Sequence, residues 1–336
     1  MKSHNISGFF SVLAALIGNA IVAVIKFTAA FISGSSAMFS EAIHSVADTM
    51  NQSFLLVGII RSQKKADDEF IYGYGNERFF WALISACGIF FIGAGVTINN
   101  GITSLIEPHE LEYHPIVFVV LFVSLVIESI TLFIALRELN RKHRHTHSLL
   151  KFFHESDPST LAVVMEDGVA VLGIFIATAS IGLTIYTGNQ IFDSLGSIII
   201  GVLLGCVAVL LIYKNKKYLI GHSIPEDIEE EIIELLEKDP AIERVIDFKS
   251  SVLDVGIYRV KCEIEFNGNA LLKELSKGYP LKEAYEDVKG DYEEFKKFVA
   301  DYTDRVPRLV GKRIDDVEKT IEAKYPSVRH IDIELN

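Results

Sequence analysis

The chain has 336 residues, half of them hydrophobic and 23% charged, with 44 Asp+Glu against 32 Lys+Arg for a formal charge of −12. That acidic balance argues against nucleic acid as a partner and leaves room for cations. The three cysteines, Cys87, Cys206 and Cys262, lie far apart without CxxC spacing, so neither a disulfide framework nor a thiolate zinc knuckle is indicated. Residues 1–217 hold 14 Lys+Arg and 16 Asp+Glu among long apolar blocks, whereas residues 218–336 hold 18 and 28 and few such blocks. The expectation is an α-helical membrane domain over 1–217 and a soluble α+β domain over 218–336.

A hydrocarbon core about 30 Å thick is crossed by about 20 apolar residues in a helix. Six stretches reach that length, at 8–32, 36–60, 78–106, 114–137, 160–187 and 190–213. The first is too long for a signal-peptide core and lacks a small-residue cleavage site, so it is expected to stay as a membrane helix. Six transmembrane helices put both termini on one side. The loops after the second and fourth spans, and the segment after the sixth, hold Arg61, Lys64, Lys65, Arg137, Arg141, Lys142, Arg144, Lys151, Lys214, Lys216 and Lys217. The loops on the other side, at 33–36, 107–115 and 187–190, hold no Lys or Arg. The positive-inside rule then expects cytoplasmic N- and C-termini, with a prokaryotic cell inner membrane as the expected location. The loop 137–157 also carries His143, His145, His147 and His154, which read as an interfacial basic loop or as a metal-collecting tract that its own positive charge opposes.

The second stretch carries a polar stripe: Glu41, His44, Asp48, Asn51 and Gln52. His44 and Asp48 are one helical turn apart on one face, the spacing at which two side chains grip one ion or staple two helices. A charge at the bilayer centre costs about 2.5 to 3.5 kcal/mol on insertion scales, so such residues face a site or a pathway rather than lipid. Further ionisable groups inside the spans are Lys26, Glu128, Glu166, Asp167 and Asp193. Lys26 is expected in a structural ion pair with a carboxylate, and Asp193 as the N-cap of the sixth helix. Glu128, in an otherwise apolar span, should face the bundle. Glu166 and Asp167 differ by about 100° around a helix, so one can point at a site while the other meets a neighbour. Carboxylates with imidazole and no thiolate suit Zn2+, Fe2+, Mn2+ or Co2+, and the same groups can take up H+ when the ion leaves.

After Tyr218 the pattern becomes an amphipathic helix at 226–238, alternating strands at 242–250 and 255–266, charged helical segments at about 269–277 and 281–300, a helix at 308–324 and a last strand from Arg329. Without the helical insert at about 269–300 the order is α-β-β-α-β, a small sandwich whose open strand edges could pair with a second copy.

These features resemble the cation diffusion facilitator family of divalent-metal/proton antiporters. The likeness lies in Asn19 and Lys26, in Ser40-Glu-Ala-Ile-His-Ser-Val-Ala-Asp48, in Tyr72-Gly-Tyr-Gly75, in the acidic fifth span and in Asp193-Ser-Leu-Gly-Ser. The run Val164-Met-Glu-Asp-Gly-Val-Ala-Val-Leu-Gly173, Glu128, the tail insert and the ending Val328-Arg-His-Ile-Asp-Ile-Glu are similar to the zinc transporter nine branch. The resemblance implies a transporter rather than an enzyme: a homodimer in the lipid bilayer, with a ferredoxin-like, metallochaperone-like cytoplasmic domain, exporting metal from the cytoplasm by alternating access. It implies His44, Asp48 and Asp167 as ligands between the second and fifth spans, with Zn2+ the first-choice cargo and H+ the counter-ion.

Two departures follow. Where the family places a ligand four residues before its fifth-span Asp, this chain has Val163, so water, Glu128 or Glu166 must complete the site, and an oxygen-richer set admits Mn2+ or Fe2+. Where some members place a loop site, Asp67 is followed by Phe70 and Tyr74. Glu41, Asn51, His222, His330 and Asp332 stand as weaker candidates. An intramembrane metallohydrolase would need a His-Glu-x-x-His pair that is missing, and a metal-binding membrane sensor differs from a transporter by having no flux.

Overall fold

The computed structural model describes residues 4–108, 114–142, 158–277 and 280–336; the His143 to His154 tract lies outside them. The chain divides into two compact units, Met1–Ile220 and Gly221–Asn336.

The first unit is a bundle of long helices: α1 (His4–Ser33), α2 (Ser36–Ser62), α3 (Glu77–Gly88), α4 (Gly95–Ile106), α5 (Ile116–Lys142), α6 (Pro158–Thr187) and α7 (Ile191–Ile220). A π-helical stretch, Ile89–Ala94, joins α3 to α4 into one continuous run; such widened turns gather at functional sites. Among the described residues five stretches are long and apolar enough to cross a membrane: Leu16–Ser33, Glu77–Ile106, Ile116–Arg137, Ala162–Thr187 and Ile191–Ile220. The 27-residue α2 is not among them, because its polar stripe dilutes the apolar composition.

The turns follow from glycine and serine. Gly34 takes a φ of 67°, and its N–H reaches Ala30 O at 2.9 Å, closing α1 in the left-handed conformation that glycine adopts without penalty. Ser35 then accepts from Met38 N at 3.0 Å and opens α2. In the bundle core small side chains let backbones approach: a Cβ on Gly101 would lie 2.7 Å from Ile198 Cγ1, and one on Gly201 2.6 Å from Ile98 Cγ1. Each glycine thus receives the isoleucine of the facing helix, which fixes α4 against α7.

The second unit holds α8 (Glu226–Glu237), β1 (Ile242–Asp254), β2 (Ile257–Phe266), α9 (Gly268–Leu275), α10 (Leu281–Val288), α11 (Tyr292–Lys324) and β3 (Val328–Leu335). The sheet order is β1-β2-β3. β1 pairs antiparallel with β2 (Val245 opposite Ile264), and β2 parallel with β3 (Cys262 opposite Ile333). Val260, Cys262 and Ile264 alternate inward on β2 and meet Ile232 and Leu236 of α8 and Val317 and Ile321 of α11 in one core. Burial pushes the Cys262 thiol up to about 11, with Glu318 adding to the shift. The outward face pairs Arg259 with Asp332 at 3.0 Å and Lys261 with Glu334 at 2.7 Å.

One expectation fails in this unit. The charged segment at 281–300 and the helix at 308–324 are not separate, since α11 runs through Pro307. Proline removes one intrahelical N–H donor, but Thr303, whose carbonyl would have received it, and Pro307 itself are exposed, so water can satisfy the carbonyl.

Candidate metal centre

The polar stripe of α2 is held from both ends. At the α2 N-terminus the Asp193 carboxylate of α7 accepts from Ser35 Oγ and Ser36 N, both at 2.6 Å, and from Ala37 N at 3.4 Å. Asp193 therefore caps α2 and not its own helix: it is the third residue of α7, already past the cap position. Ser40 Oγ lies 2.6 Å from Ser197 Oγ, which also donates to Thr97 O at 3.0 Å. These contacts tie the first turns of α2 to α4 and α7.

One turn further on, Lys26 of α1 pairs with Glu41 Oε2 at 3.1 Å, both side chains at zero exposure. The other oxygen, Glu41 Oε1, has no hydrogen-bond partner among the described residues and lies against Gly173 of α6, where a Cβ would collide with it.

His44 follows. It is 2% exposed, with Nε2 3.6 Å from Asp48 Oδ2. That separation is too long for a hydrogen bond, and neither ring nitrogen has another partner among the described residues. A buried imidazole normally has its nitrogens satisfied; here both donor positions are open. Around Asp48 the structure gathers acids from two more helices: Glu128 of α5 is in electrostatic contact with Asp48 and His44, Asp167 of α6 with Glu128 and Asp48, and Glu166 with Asp48. The Thr131 hydroxyl donates to Glu128 O at 2.9 Å, and Asp167 Oδ2 has no partner among the described residues. Glu166 Oε2 accepts from Asn51 Nδ2, and Glu166 Oε1 is buried without a partner among the described residues. In turn Asn51 Oδ1 accepts from Ser85 Oγ of α3 at 2.6 Å. Val163, one turn before Asp167, is 39% exposed. A small cavity of about 10 Å³, the size of one water, lies beside Glu166, with Asn51, Arg78 and Asn215 among its lining.

His44 and Asp48 thus lie 3.6 Å apart, with Glu128, Glu166 and Asp167 within electrostatic range of Asp48. Among the described residues no three His, Cys, Asp or Glu side chains are drawn together tightly enough to hold a metal ion. The remaining candidates stand elsewhere. His222 Nδ1 lies 2.8 Å from Ser223 O; Asp332 is engaged by Arg259, and His330 lies opposite Arg259 in the β2–β3 register. Asp67 Oδ2 is shared by Lys64 Nζ and Tyr74 OH, both at 2.8 Å, and these donors hold its carboxyl below the usual range. Sequence reasoning overlooked Ser85 and Gly173, whose residue types carry no signal of their own.

Comparison with known proteins adds a lineage. A family model described as the cation efflux transmembrane domain matches residues 12–220. The chain is 37% identical to the human protein named proton-coupled zinc antiporter SLC30A9, mitochondrial, over 99% of this chain and 60% of that protein. It is 35% identical to metal tolerance protein C4 of Arabidopsis thaliana, over 97% of this chain and 73% of that one. The chain therefore spans less than two thirds of its human relative. These matches overturn the expected location in a prokaryotic cell inner membrane, since the human relative's name is mitochondrial and the other is a plant protein. The physical reason is that loop charges report orientation across a membrane and not which membrane it is. The multi-pass membrane character stands on the five apolar helices.

Proposed function

Because this chain belongs to the cation efflux family, also called the cation diffusion facilitator family, we propose that it is a proton-coupled antiporter that moves divalent metal, with Zn2+ first and Mn2+ or Fe2+ as further cargo. The names of the relatives, a zinc antiporter and a metal tolerance protein, support metal efflux. The observation that carries the reading is the set of buried donor atoms without a partner among the described residues: the nitrogens of His44, Asp167 Oδ2 and Glu166 Oε1. Unpaired polar atoms at that depth cost free energy unless something binds them, and a divalent cation drawn in among them would engage one nitrogen of His44 and the carboxylate oxygens.

In this reading α2 is a sixth span, its stripe turned away from lipid. His44, Asp48 and Asp167 are the ligands, and Glu128 and Glu166 complete the set or accept protons. Two carboxylates neutralise the ion, which offsets its dehydration in a low-dielectric bundle. When it leaves, carboxylates and imidazole take up protons in its place. Lys26 cancels Glu41, so Glu41 is structural. The second unit, whose order is helix–strand–strand–helix–strand once α9 and α10 are set aside, acts as a ferredoxin-like, metallochaperone-like domain that pairs two copies, and transport runs away from the side bearing the basic loops.

The test is a panel of Zn2+, Mn2+, Fe2+, Co2+ and Cd2+ offered to proteoliposomes at two pH gradients. Flux that rises with the gradient is expected. Tight metal binding without flux would make the protein a sensor and overturn the proposal.

A further inference from the structure

Val163 leaves the α6 half of the site one donor short, and the structure places another group beside the gap. Asn51 sits on the metal-facing stripe of α2, three residues after Asp48, and is 5% exposed. Both ends of its side chain are engaged: the amide nitrogen donates to Glu166 Oε2, and the amide oxygen accepts from the Ser85 hydroxyl at 2.6 Å. That oxygen is the atom an asparagine would offer to a metal, and here it is turned to Ser85. What it does is fix Glu166: one carboxylate oxygen is anchored, and the other is buried without a partner among the described residues, within electrostatic range of Asp48 and Asp167. Ser85, 2% exposed on α3, fixes Asn51 in the same way.

We propose that Ser85 and Asn51 form a positioning relay that aims Glu166 Oε1 at the transported ion, so that Glu166 supplies the donor that Val163 cannot, and that this relay sets the preference among metals. The inference rests on the reading of His44, Asp48 and Asp167 as ligands. With Glu166 in the set there is one imidazole nitrogen against three carboxylates, a composition that accommodates Mn2+ beside Zn2+. Partners of metal ligands in other systems are worth about ten- to a hundredfold in affinity. Asn51 and Ser85 are positioning residues, since both act through Glu166.

The experiment measures Zn2+ and Mn2+ uptake by proteoliposomes for the parent, Asn51→Ala, Ser85→Ala, Ser85→Thr, Glu166→Ala and Asn51→Ala/Glu166→Ala, with monodispersity checked for each. Asn51→Ala should raise the KM for Mn2+ by about tenfold or more, with a smaller rise for Zn2+, so the Mn2+/Zn2+ ratio falls. Ser85→Ala should move the ratio the same way, and Ser85→Thr, which keeps the hydroxyl, should restore it. In the Glu166→Ala background Asn51→Ala should add nothing, since pairs that act as one unit are non-additive. An unchanged ratio in Asn51→Ala, or an equal further loss in the Glu166→Ala background, overturns the relay. If Asn51→Ala does not fold, the two Ser85 variants decide alone. Parent-like Asn51→Ala beside an inactive Asp48→Ala sinks only the relay, whereas a folded parent that moves no metal sinks the transport reading with it.

Discussion

Removing the Lys26 ammonium tests how α1 and α2 are joined. Lys26 and Glu41 are both fully buried and 3.1 Å apart, and Glu41 Oε1 has no second donor among the described residues. Lys26→Met keeps the aliphatic stem and deletes the charge, so a buried carboxylate loses the cation that compensates it. Breaking one side of such a pair costs about 3 to 5 kcal/mol, whereas replacing both sides by apolar groups of similar size is often neutral. Lys26→Met should therefore lose about that much stability, and Lys26→Met/Glu41→Leu should recover most of it. The assay is reversible unfolding in mixed micelles, followed by circular dichroism as the denaturing detergent is raised, for the parent, both single variants and the double. A Lys26→Met variant within about 1 kcal/mol of the parent, well under the cost of an uncompensated buried charge, would refute the reasoning. So would a double variant no more stable than the single one.

Other outcomes follow from single contacts. Asp193→Ala deprives Ser36 N and Ala37 N of their acceptor and should cost about 1.5 to 3 kcal/mol, the range for hydrogen bonds to charged groups, with faster amide exchange confined to the start of α2; unchanged exchange there would contradict the cap. Gly101→Ala drives a methyl to 2.7 Å from Ile198 Cγ1 and 3.0 Å from backbone atoms of α7, so overpacking should cost about 1 to 3 kcal/mol; a melting temperature equal to the parent's would show that α4 and α7 separate freely. The Cys262 thiol, pushed up to about 11 from 9.0, should resist alkylation at pH 8 until the second unit unfolds. Because its folded value is the higher one, the stabilisation it contributes is present below pH 9.0 and is lost as pH rises towards 11; a titration of stability flat across that window would contradict its burial.

What was legible in the sequence was what periodicity and apolar length encode. The stripe from Glu41 to Asn51 keeps one helical face, so its burial could be read from spacing and the cost of intramembrane charge. The period-two alternation of β2 gave the second unit's sheet for the same reason. Partners across helices were not legible. Lys26 promised an ion pair without naming Glu41, and Asp193 looked like a cap of its own helix because the chain shows its neighbours in sequence and not Ser35 and Ser36, which lie 158 and 157 residues away. The joining of the segments at 281–300 and 308–324 across Pro307 was not legible, since a proline's missing donor is visible in sequence and the exposure that tolerates it is not. The π-helical stretch Ile89–Ala94 has the composition of any apolar helix, and Ser85 is one serine among many until its hydroxyl is seen on Asn51.

The central claim is that metal crosses through His44, Asp48 and Asp167. Zn2+ uptake by proteoliposomes under an imposed pH gradient, comparing the parent with Asp48→Ala and Asp167→Ala at equal reconstitution, tests it most directly. The account predicts saturable, gradient-driven uptake by the parent and uptake at the level of empty liposomes for each variant; parent-like flux in either variant would contradict it.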